Sequence, residues 1–293
     1  GPKGIGKSFL LKLICTKILN IENNFEIAKA KFYHPDLIVL QKESDKKNIP
    51  VEEVRKVRKF FSKTSFSGNA RIALIDSIND LNTHGHNSLL KIIEEPPNNS
   101  FIFIVNHMNS YVPLTVKSRC RSYNFRQLDH SVTANILRLH AKDRSENEIL
   151  FCASLSKGSA GEAIKLLNSN ALNTYKELCF FLNNINKLDN INIIEYLESI
   201  SKNKLNLGFL FFKLLIYLFN KAIKIKALNK EDFILNEEEK TIKHLTKIYN
   251  LDDFFNLREI INDSFLNYSN LNTDLHSTLY SLIIELTKNI KNK

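Results

Sequence analysis

The sequence predicts an α/β fold built on a phosphate-binding loop, followed by a region that is entirely helical. The chain opens with GPKGIGKS, which has the spacing of a phosphate loop directly ahead of a helix. Apolar runs typical of buried strands then alternate with helical patterns up to about residue 127. These two observations together predict a doubly wound parallel sheet in this part of the chain.

The helices of the α/β region follow from apolar spacing and proline positions. After the loop, FLLKLICTKILN carries apolar residues at helical spacing. From Pro50, VEEVRKVRKFFSK places Val51, Val54, Val57 and Phe61 on one face, with proline just ahead of the first turn and acids within it. NSLLKIIEEPP predicts a third helix, which ends at its two prolines.

The strands are predicted from short continuous apolar runs. DLIVL, at 36–40, follows Pro35, while RIALID and FIFIV have the composition of strands covered on both faces. A short helix that starts at a proline comes before Arg119, and the YNF segment after it is predicted to be an edge strand. Because a phosphate loop needs a strand feeding into it, we also expect at least one strand upstream of Gly1.

Three regions are predicted: 1–127 as the nucleotide-binding core without its first strand, 128–172 as a small helical region, and 173–293 as a longer helical region. KGSAGEAIKLLNSN ends the small bundle, and TYKELCFFLNNI begins the longer one. The most apolar run, LNLGFLFFKLLIYLF, is interrupted by Lys213 and is therefore predicted to be a buried helix, not a membrane span.

Composition narrows the class of protein. With 293 residues, 43% hydrophobic and 25% charged, the chain is typical of soluble globular proteins with two or three domains. The formal charge of +10 would suit a polyanionic partner, although heavy use of lysine throughout explains much of it. The four cysteines show no C-x-x-C spacing, which argues against zinc and disulfides and favours free thiols in a reducing cytoplasm.

The loop residues predict a nucleotide site. Gly1, Gly4 and Gly6 let backbone N–H groups converge on phosphate oxygens. Lys7 would reach the β- and γ-phosphates, and Ser8 would be a Mg²⁺ ligand. The alternative is a glycine-rich turn that happens to precede a helix.

Two strand ends supply further candidates. Asp76 follows an apolar strand and could hold Mg²⁺ opposite Ser8, or could simply be an acid in solvent. Ser77 occupies the position where ATPases of this class carry glutamate, and a hydroxyl is a poor general base near neutral pH. Asn106 could bond the γ-phosphate or a water molecule, or it could cap the following turn.

The order of the motifs resembles one family. HPDLIVL, IPVEEVRKVRKFF, RIALIDSINDLN, NSLLKIIEEPP and VPLTVKSRCR follow the phosphate loop as they do in the AAA+ clamp-loader subunits of bacterial DNA polymerase III, and the similarity is to their delta-prime family. The similarity is close over residues 1 to about 127. Beyond that it is general: a small helical lid and then a helical collar.

The resemblance implies roles for the candidate residues. Lys7 and Ser8 would lie at the nucleotide phosphates, Asp76 at the magnesium position, and Asn106 would be the first sensor. On its position in the sequence alone, Arg119 would be a solvated surface charge. The resemblance implies instead that Arg119 is the arginine finger offered to ATP on a neighbouring subunit. The implied cofactor is ATP or ADP with Mg²⁺.

Three departures from the motor subunits of this family imply a non-motor role. The chain lacks their zinc-binding cysteine cluster, it has Ser77 in place of the catalytic glutamate, and it has Gly161 at the lid position where motor subunits carry a second-sensor arginine. We therefore expect little ATP hydrolysis by the chain itself and no zinc.

Partners follow from the same resemblance. They are the motor and delta subunits in a hetero-pentameric ring, the sliding clamp and primer-template DNA, in the bacterial cytoplasm and not at a membrane. The basic segment RKVRK, at 55–59, would be either a solvated helix face or a weak contact to DNA phosphates. An active motor-type ATPase and a phosphate-loop kinase or other transferase are the competing functions.

Overall fold

The computed structural model of the chain describes residues 1–21, 33–43, 46, 48–66, 68, 70–107, 112–185, 190–202, 205–271 and 273–291. The protein is mostly helical, with a small parallel sheet near its N-terminus. It divides into two compact units. Unit 1 comprises residues 1–129 with 158–161, and unit 2 comprises residues 130–157 with 162–293.

Unit 1 contains a three-stranded parallel sheet in the order β1-β2-β3. Leu37 lies opposite Ile72, and Ala73 lies opposite Ile102. A short 3-10 turn, Ile78–Asp80, follows the central strand. The strands are β1 (Leu37–Leu40), β2 (Arg71–Ile75) and β3 (Ser100–Ile104), and the helices are α1 (Lys7–Ile18), α2 (Val51–Phe61), α3 (Thr83–Glu94) and α4 (Leu114–Lys117).

Helices cover both faces of the central strand β2, as its apolar run predicted. The same prediction is wrong for β3, where Phe101 is 44% exposed. Alternate residues of β2 belong to different clusters, because successive side chains of a strand point to opposite faces. Ile72 and Leu74 pack in one cluster with Cys15 of α1. Ala73 and Ile75 pack in another with the buried side chains of α2 and α3. Strand β2 is therefore sandwiched between helices.

One predicted strand is not formed. Residues 121–129 adopt no strand, and residues 121–127 are exposed. A strand is defined by its ladder of hydrogen bonds, and in the described part of the chain the sheet consists of β1, β2 and β3 only. The YNF segment therefore has the composition of a strand without a neighbouring strand to complete it.

Unit 2 is helical throughout its described residues. Its helices share one hydrophobic core that extends from Ala134 to Leu286. The predicted division at residue 172 lies within this shared core and stays a prediction. The helices are α5 (His130–His140), α6 (Glu146–Leu155), α7 (Ala160–Asn168, whose first two residues belong to unit 1), α8 (Ala171–Asn184), α9 (Asn190–Lys202), α10 (Leu205–Leu228), α11 (Asn236–Ile248), α12 (Leu251–Leu271) and α13 (Leu275–Lys291).

The apolar segment around Lys213 forms α10, the longest helix of this unit's core. Lys213 Nζ donates to Glu162 Oε1 at 2.6 Å, so the charge within the apolar run is paired. Across the residues that the structure describes, no helix is both long and apolar enough to span a bilayer.

Candidate functional site

The phosphate loop has the backbone conformation that its glycines permit. Gly4 and Gly6 have φ angles of 82° and 98°, in the left-handed region that residues with a Cβ rarely adopt. Gly6 is the N-cap of α1, and Lys7 is the first residue of the helix. The loop therefore leads directly into a helix N-terminus, where unpaired backbone N–H groups favour anions.

The polar side chains of the loop are engaged with their own chain. Lys7 is only 9% exposed, and its Nζ donates to the Gly1 carbonyl at 2.8 Å and to the Pro2 carbonyl. Burial lowers the pKa of Lys7 from its usual value. Ser8 Oγ donates to the Asp76 carboxylate. The structure thus brings together Ser8 and Asp76, the two residues proposed from sequence as a magnesium pair.

The ends of β2 and β3 position the remaining candidates. The Asp76 amide donates to the Leu40 carbonyl at 2.9 Å, which fixes the residue that follows β2. Val105 donates to Ile75, and Ile78 to Val105, so the ends of the two strands stay side by side. Asp76 and the half-buried Asn106 therefore follow adjacent strand ends. Ser77, which directly follows Asp76, is buried at 7% exposure.

His107 belongs to the same neighbourhood, although sequence reasoning did not select it. Burial lowers its pKa first, and the positive charges of Lys7 and Lys3 lower it further, whereas Asp76 and Asp80 act in the opposite direction. The lowered pKa favours a neutral imidazole at neutral pH. Its position directly after Asn106, at the same strand end, was the signal that could have identified it.

Gly161 lies against the phosphate loop. Its amide donates to the Gly4 carbonyl at 2.7 Å, and Ser159 Oγ donates to the Lys3 carbonyl at 3.0 Å. A Cβ built on Gly161 would lie 3.2 Å from the Gly4 Cα and carbonyl oxygen, which is closer than most real Cβ contacts. The sequence indicated only that an arginine is absent here; the structure shows that residue 161 supports the loop by direct backbone contact.

Arg119 presents a different environment. Its side chain is 41% exposed, at the edge of an open cleft of about 450 Å³ lined by α4 and the residues after it. One terminal nitrogen donates to the Thr115 carbonyl at 3.0 Å, and the other lies 3.0 Å from Glu94 Oε1. The structure therefore places Arg119 on the surface of unit 1 with an oriented guanidinium.

The residues present fit a nucleotide with Mg²⁺. Hydroxyl and carboxylate oxygens such as those of Ser8 and Asp76 are the ligands that Mg²⁺ prefers. The positive charge of Lys7 and the amides at the start of α1 suit phosphate oxygens. When bound, the metal would neutralise phosphate charge; the chain's own residues would hold and orient the nucleotide.

Other metal chemistry has little support in the described ranges, where no group of three or more His, Cys, Asp or Glu is placed to hold an ion. Cys15, Cys152 and Cys179 are buried free thiols, and Cys120 is half-buried. Burial raises the pKa of Cys15 to about 11 and those of Cys152 and Cys179 to about 12, so these thiols stay protonated. The absence of zinc stays a prediction.

Comparison with known proteins bears on the N-terminal part of the chain. Residues 3–129 match the sequence family described as DNA polymerase III, delta subunit. Over 129 residues the chain is 31% identical to DNA polymerase III subunit delta' of Pseudomonas aeruginosa, an alignment that covers 41% of this chain and 39% of that protein. Through this region the chain is similar to subunits of DNA polymerase III.

A second type of DNA polymerase III subunit, gamma/tau, is also similar to this chain. The chain is 25% identical over 180 residues to DNA polymerase III subunit gamma/tau of Mycoplasma genitalium, with 57% of this chain and 30% of that protein covered. A crystal structure of a DNA polymerase III gamma subunit-related protein from Thermotoga maritima aligns over 92% of this chain and 89% of its own, at 18% identity and a TM-score of 0.45. The two sequence alignments thus span well under half the length of the Pseudomonas and Mycoplasma proteins.

Proposed function

We propose that the protein is a non-motor, delta-prime-type AAA+ subunit of a DNA polymerase III clamp loader. In this role it joins a hetero-pentameric ring with motor and delta subunits and helps to load the sliding clamp on primer-template DNA in the bacterial cytoplasm. Arg119 acts in trans, on ATP held by a neighbouring subunit. The helices of unit 2 serve as lid and collar.

The observation that carries this proposal is the contrast between Arg119 and the residues of the chain's own loop. Arg119 is exposed and oriented, so a guanidinium is available to another molecule. At the loop, the resemblance implies that Ser77 stands at the position of the catalytic glutamate and Gly161 at that of the second-sensor arginine; Ser77 is buried, and the Gly161 amide donates to the Gly4 carbonyl. Arginine fingers raise phosphoryl-transfer rates by about 10³ to 10⁵.

The test uses Arg119→Ala in the full-length protein, reconstituted with the motor and delta subunits of the same organism. We expect normal ring stoichiometry and a partial loss of clamp- and DNA-stimulated ATP hydrolysis, because other interfaces keep their own arginines. Arg121→Ala is the matched control, since Arg121 is exposed two residues away and lies over the Tyr123 ring. Unchanged ATPase and clamp loading by Arg119→Ala would overturn the proposal.

A motor-type ATPase is the second candidate, because gamma/tau subunits are similar and the loop from Gly1 to Ser8 is intact. The two candidates differ in the turnover of the purified full-length chain. A non-motor subunit binds ATP or ADP with Mg²⁺ but turns ATP over far more slowly than about 1 per second, which is the low end of ordinary enzyme rates. Turnover in the ordinary range would establish the motor candidate.

A further inference from the structure

The guanidinium of Arg119 is tethered to two separate elements of unit 1. The Thr115 carbonyl and the Ser118 hydroxyl accept from one terminal nitrogen at 3.0 and 3.3 Å, and both belong to α4 or the residue after it. Glu94 Oε1 lies 3.0 Å from the other terminal nitrogen and belongs to the end of α3. A guanidinium has five N–H donors, and these three contacts leave donors for a further acceptor.

The backbone on which the two charges sit is well supported. Val116 of α4 is buried in the same cluster as Leu89 and Ile92 of α3, so the two helices share a core. Glu94 is the last residue of α3 because Pro96 follows closely and stops the helix. The packing of α3 against α4 therefore sets the distance between the backbones of Glu94 and Arg119.

The position of Glu94 is electrostatically unusual. A carboxylate at the C-terminal end of a helix is repelled by the partial negative charge of the last carbonyls. A cation beside it removes this penalty, and Arg119 is that cation. Both side chains are nearly half exposed, so the ion pair adds little to folding stability. What it supplies is a preferred direction for a long side chain that would otherwise sample many rotamers.

We propose that Glu94 is a positioning residue for Arg119. Together with the Thr115 carbonyl, its carboxylate holds both terminal nitrogens of the guanidinium, so that the remaining N–H donors face the phosphate oxygens of a neighbouring subunit's nucleotide. This inference rests on the proposed role of Arg119 in trans. Glu94 acts only through Arg119 and makes no contact with the reacting atoms.

The test compares Glu94→Gln with Glu95→Gln, an exposed neighbour of the same charge and size. In the reconstituted clamp loader, Glu94→Gln is expected to lower kcat for stimulated ATP hydrolysis by about two- to fivefold, the range expected for one half-exposed ion pair. The KM for ATP should stay unchanged, since the lost interaction orients a group that acts in the transition state. Glu95→Gln should match the wild type in both parameters.

A double-variant cycle separates the possible failures. In an Arg119→Ala background, Glu94→Gln should have no further effect, because its target is gone. If Arg119→Ala is itself silent, the proposed function fails. If Arg119→Ala lowers the rate but Glu94→Gln leaves it unchanged or raises it, only the positioning role is overturned; a raised rate would show that Glu94 competes with phosphate for Arg119.

The isolated full-length chain gives an independent readout. Side-chain ¹⁵N relaxation of Arg119, assigned by its disappearance in Arg119→Ala, should report a restricted guanidinium in the wild type and in Glu95→Gln. In Glu94→Gln the same signal should show faster internal motion. Equal mobility in all three proteins would contradict the positioning role even if the assembled complex proved difficult to prepare.

Discussion

The nucleotide loop and the Arg119 surface are both polar sites of unit 1, but their groups are used differently. At the loop, Lys7 donates to carbonyls of its own loop, Ser8 donates to Asp76, and the Gly4 carbonyl accepts from Gly161. At the surface, the Thr115 carbonyl and the Glu94 carboxylate orient Arg119, whose guanidinium has further N–H donors that these contacts do not use. One site is bonded within itself, and the other is directed outward.

This difference indicates where each site can contribute. A phosphate entering the loop must compete with existing hydrogen bonds, and freeing a buried polar group removes interactions before new ones form. A phosphate meeting Arg119 can bind the N–H donors that its three intrachain contacts leave open, and preorganised donors of this kind stabilise charge that develops in a transition state. The proposed function assigns a different task to each site: nucleotide binding at the loop and action on a neighbouring subunit at Arg119.

The largest expected effect comes from changing the chemistry of Arg119 while keeping its charge. Lysine has a single ammonium group and cannot present the planar fork of arginine. We expect Arg119→Lys to lose most of the roughly 10³ to 10⁵ acceleration at the affected interface, nearly as much as Arg119→Ala. The measurement is single-turnover ATP hydrolysis by the reconstituted complex, with Arg121→Lys as control. If the Arg119→Lys complex hydrolyses ATP at the wild-type rate, a positive charge at residue 119 is sufficient and the planar guanidinium is not required.

A smaller effect is expected at the support of the loop. Gly161→Ala adds a Cβ about 3.2 Å from the Gly4 backbone, so the loop or α7 must shift, which we expect to destabilise unit 1 by about 1–3 kcal/mol. Protection of the β2 amides in native-state hydrogen exchange reports this loss, because these amides open with the core of unit 1.

Gly85→Ala is the matched control for this substitution. Gly85 also lies in the first turn of a helix, but an added Cβ would meet side-chain atoms of Leu81 and Asn82 at 3.3–3.4 Å and not the backbone of another segment. Both substitutions gain the helix propensity of alanine, roughly 1 kcal/mol, so Gly85→Ala should cost less than Gly161→Ala, whose Cβ meets backbone atoms of Gly4. Equal protection of the β2 amides in both variants would mean that the loop accommodates the added Cβ and that residue 161 does not support it.

The sequence predicted what depends on local pattern. The spacing of Val54, Val57 and Phe61 predicted the buried face of α2, and all three are buried. The apolar runs predicted β2 and β3, and the proline pair predicted where α3 ends. Periodicity and proline geometry are properties of neighbouring residues, so they can be read without knowing the tertiary fold.

What the sequence did not predict depends on contacts between distant segments. Glu94 and Arg119 meet because α3 and α4 share a core, and Gly161 meets Gly4 because the start of α7 packs on the loop. No local pattern specifies either pair. The YNF segment has the composition of a strand, but it does not pair with any strand of the described sheet. Its composition alone therefore predicted a strand that the fold does not form.

The smallest expected effect concerns the bond between Ser8 and Asp76. Ser8→Ala removes the hydroxyl donor, leaving the carboxylate with one partner fewer at a half-buried site. A hydrogen bond of this kind contributes about 1 kcal/mol, so protection of the β2 amides should fall by about fivefold. Ser62→Ala is the control, because Ser62 is exposed at the end of α2 and its hydroxyl donates to the Lys59 carbonyl within its own turn; its effect should be a few tenths of a kcal/mol. Adding Mg²⁺ and ADP should raise protection in the wild type more than in Ser8→Ala, since Ser8 would be one of the residues that hold the metal. If the loop binds nucleotide without releasing the bond between Ser8 and Asp76, the two proteins will gain protection equally, and the contrast between a self-bonded loop and an outward-directed Arg119 would lose one of its supports.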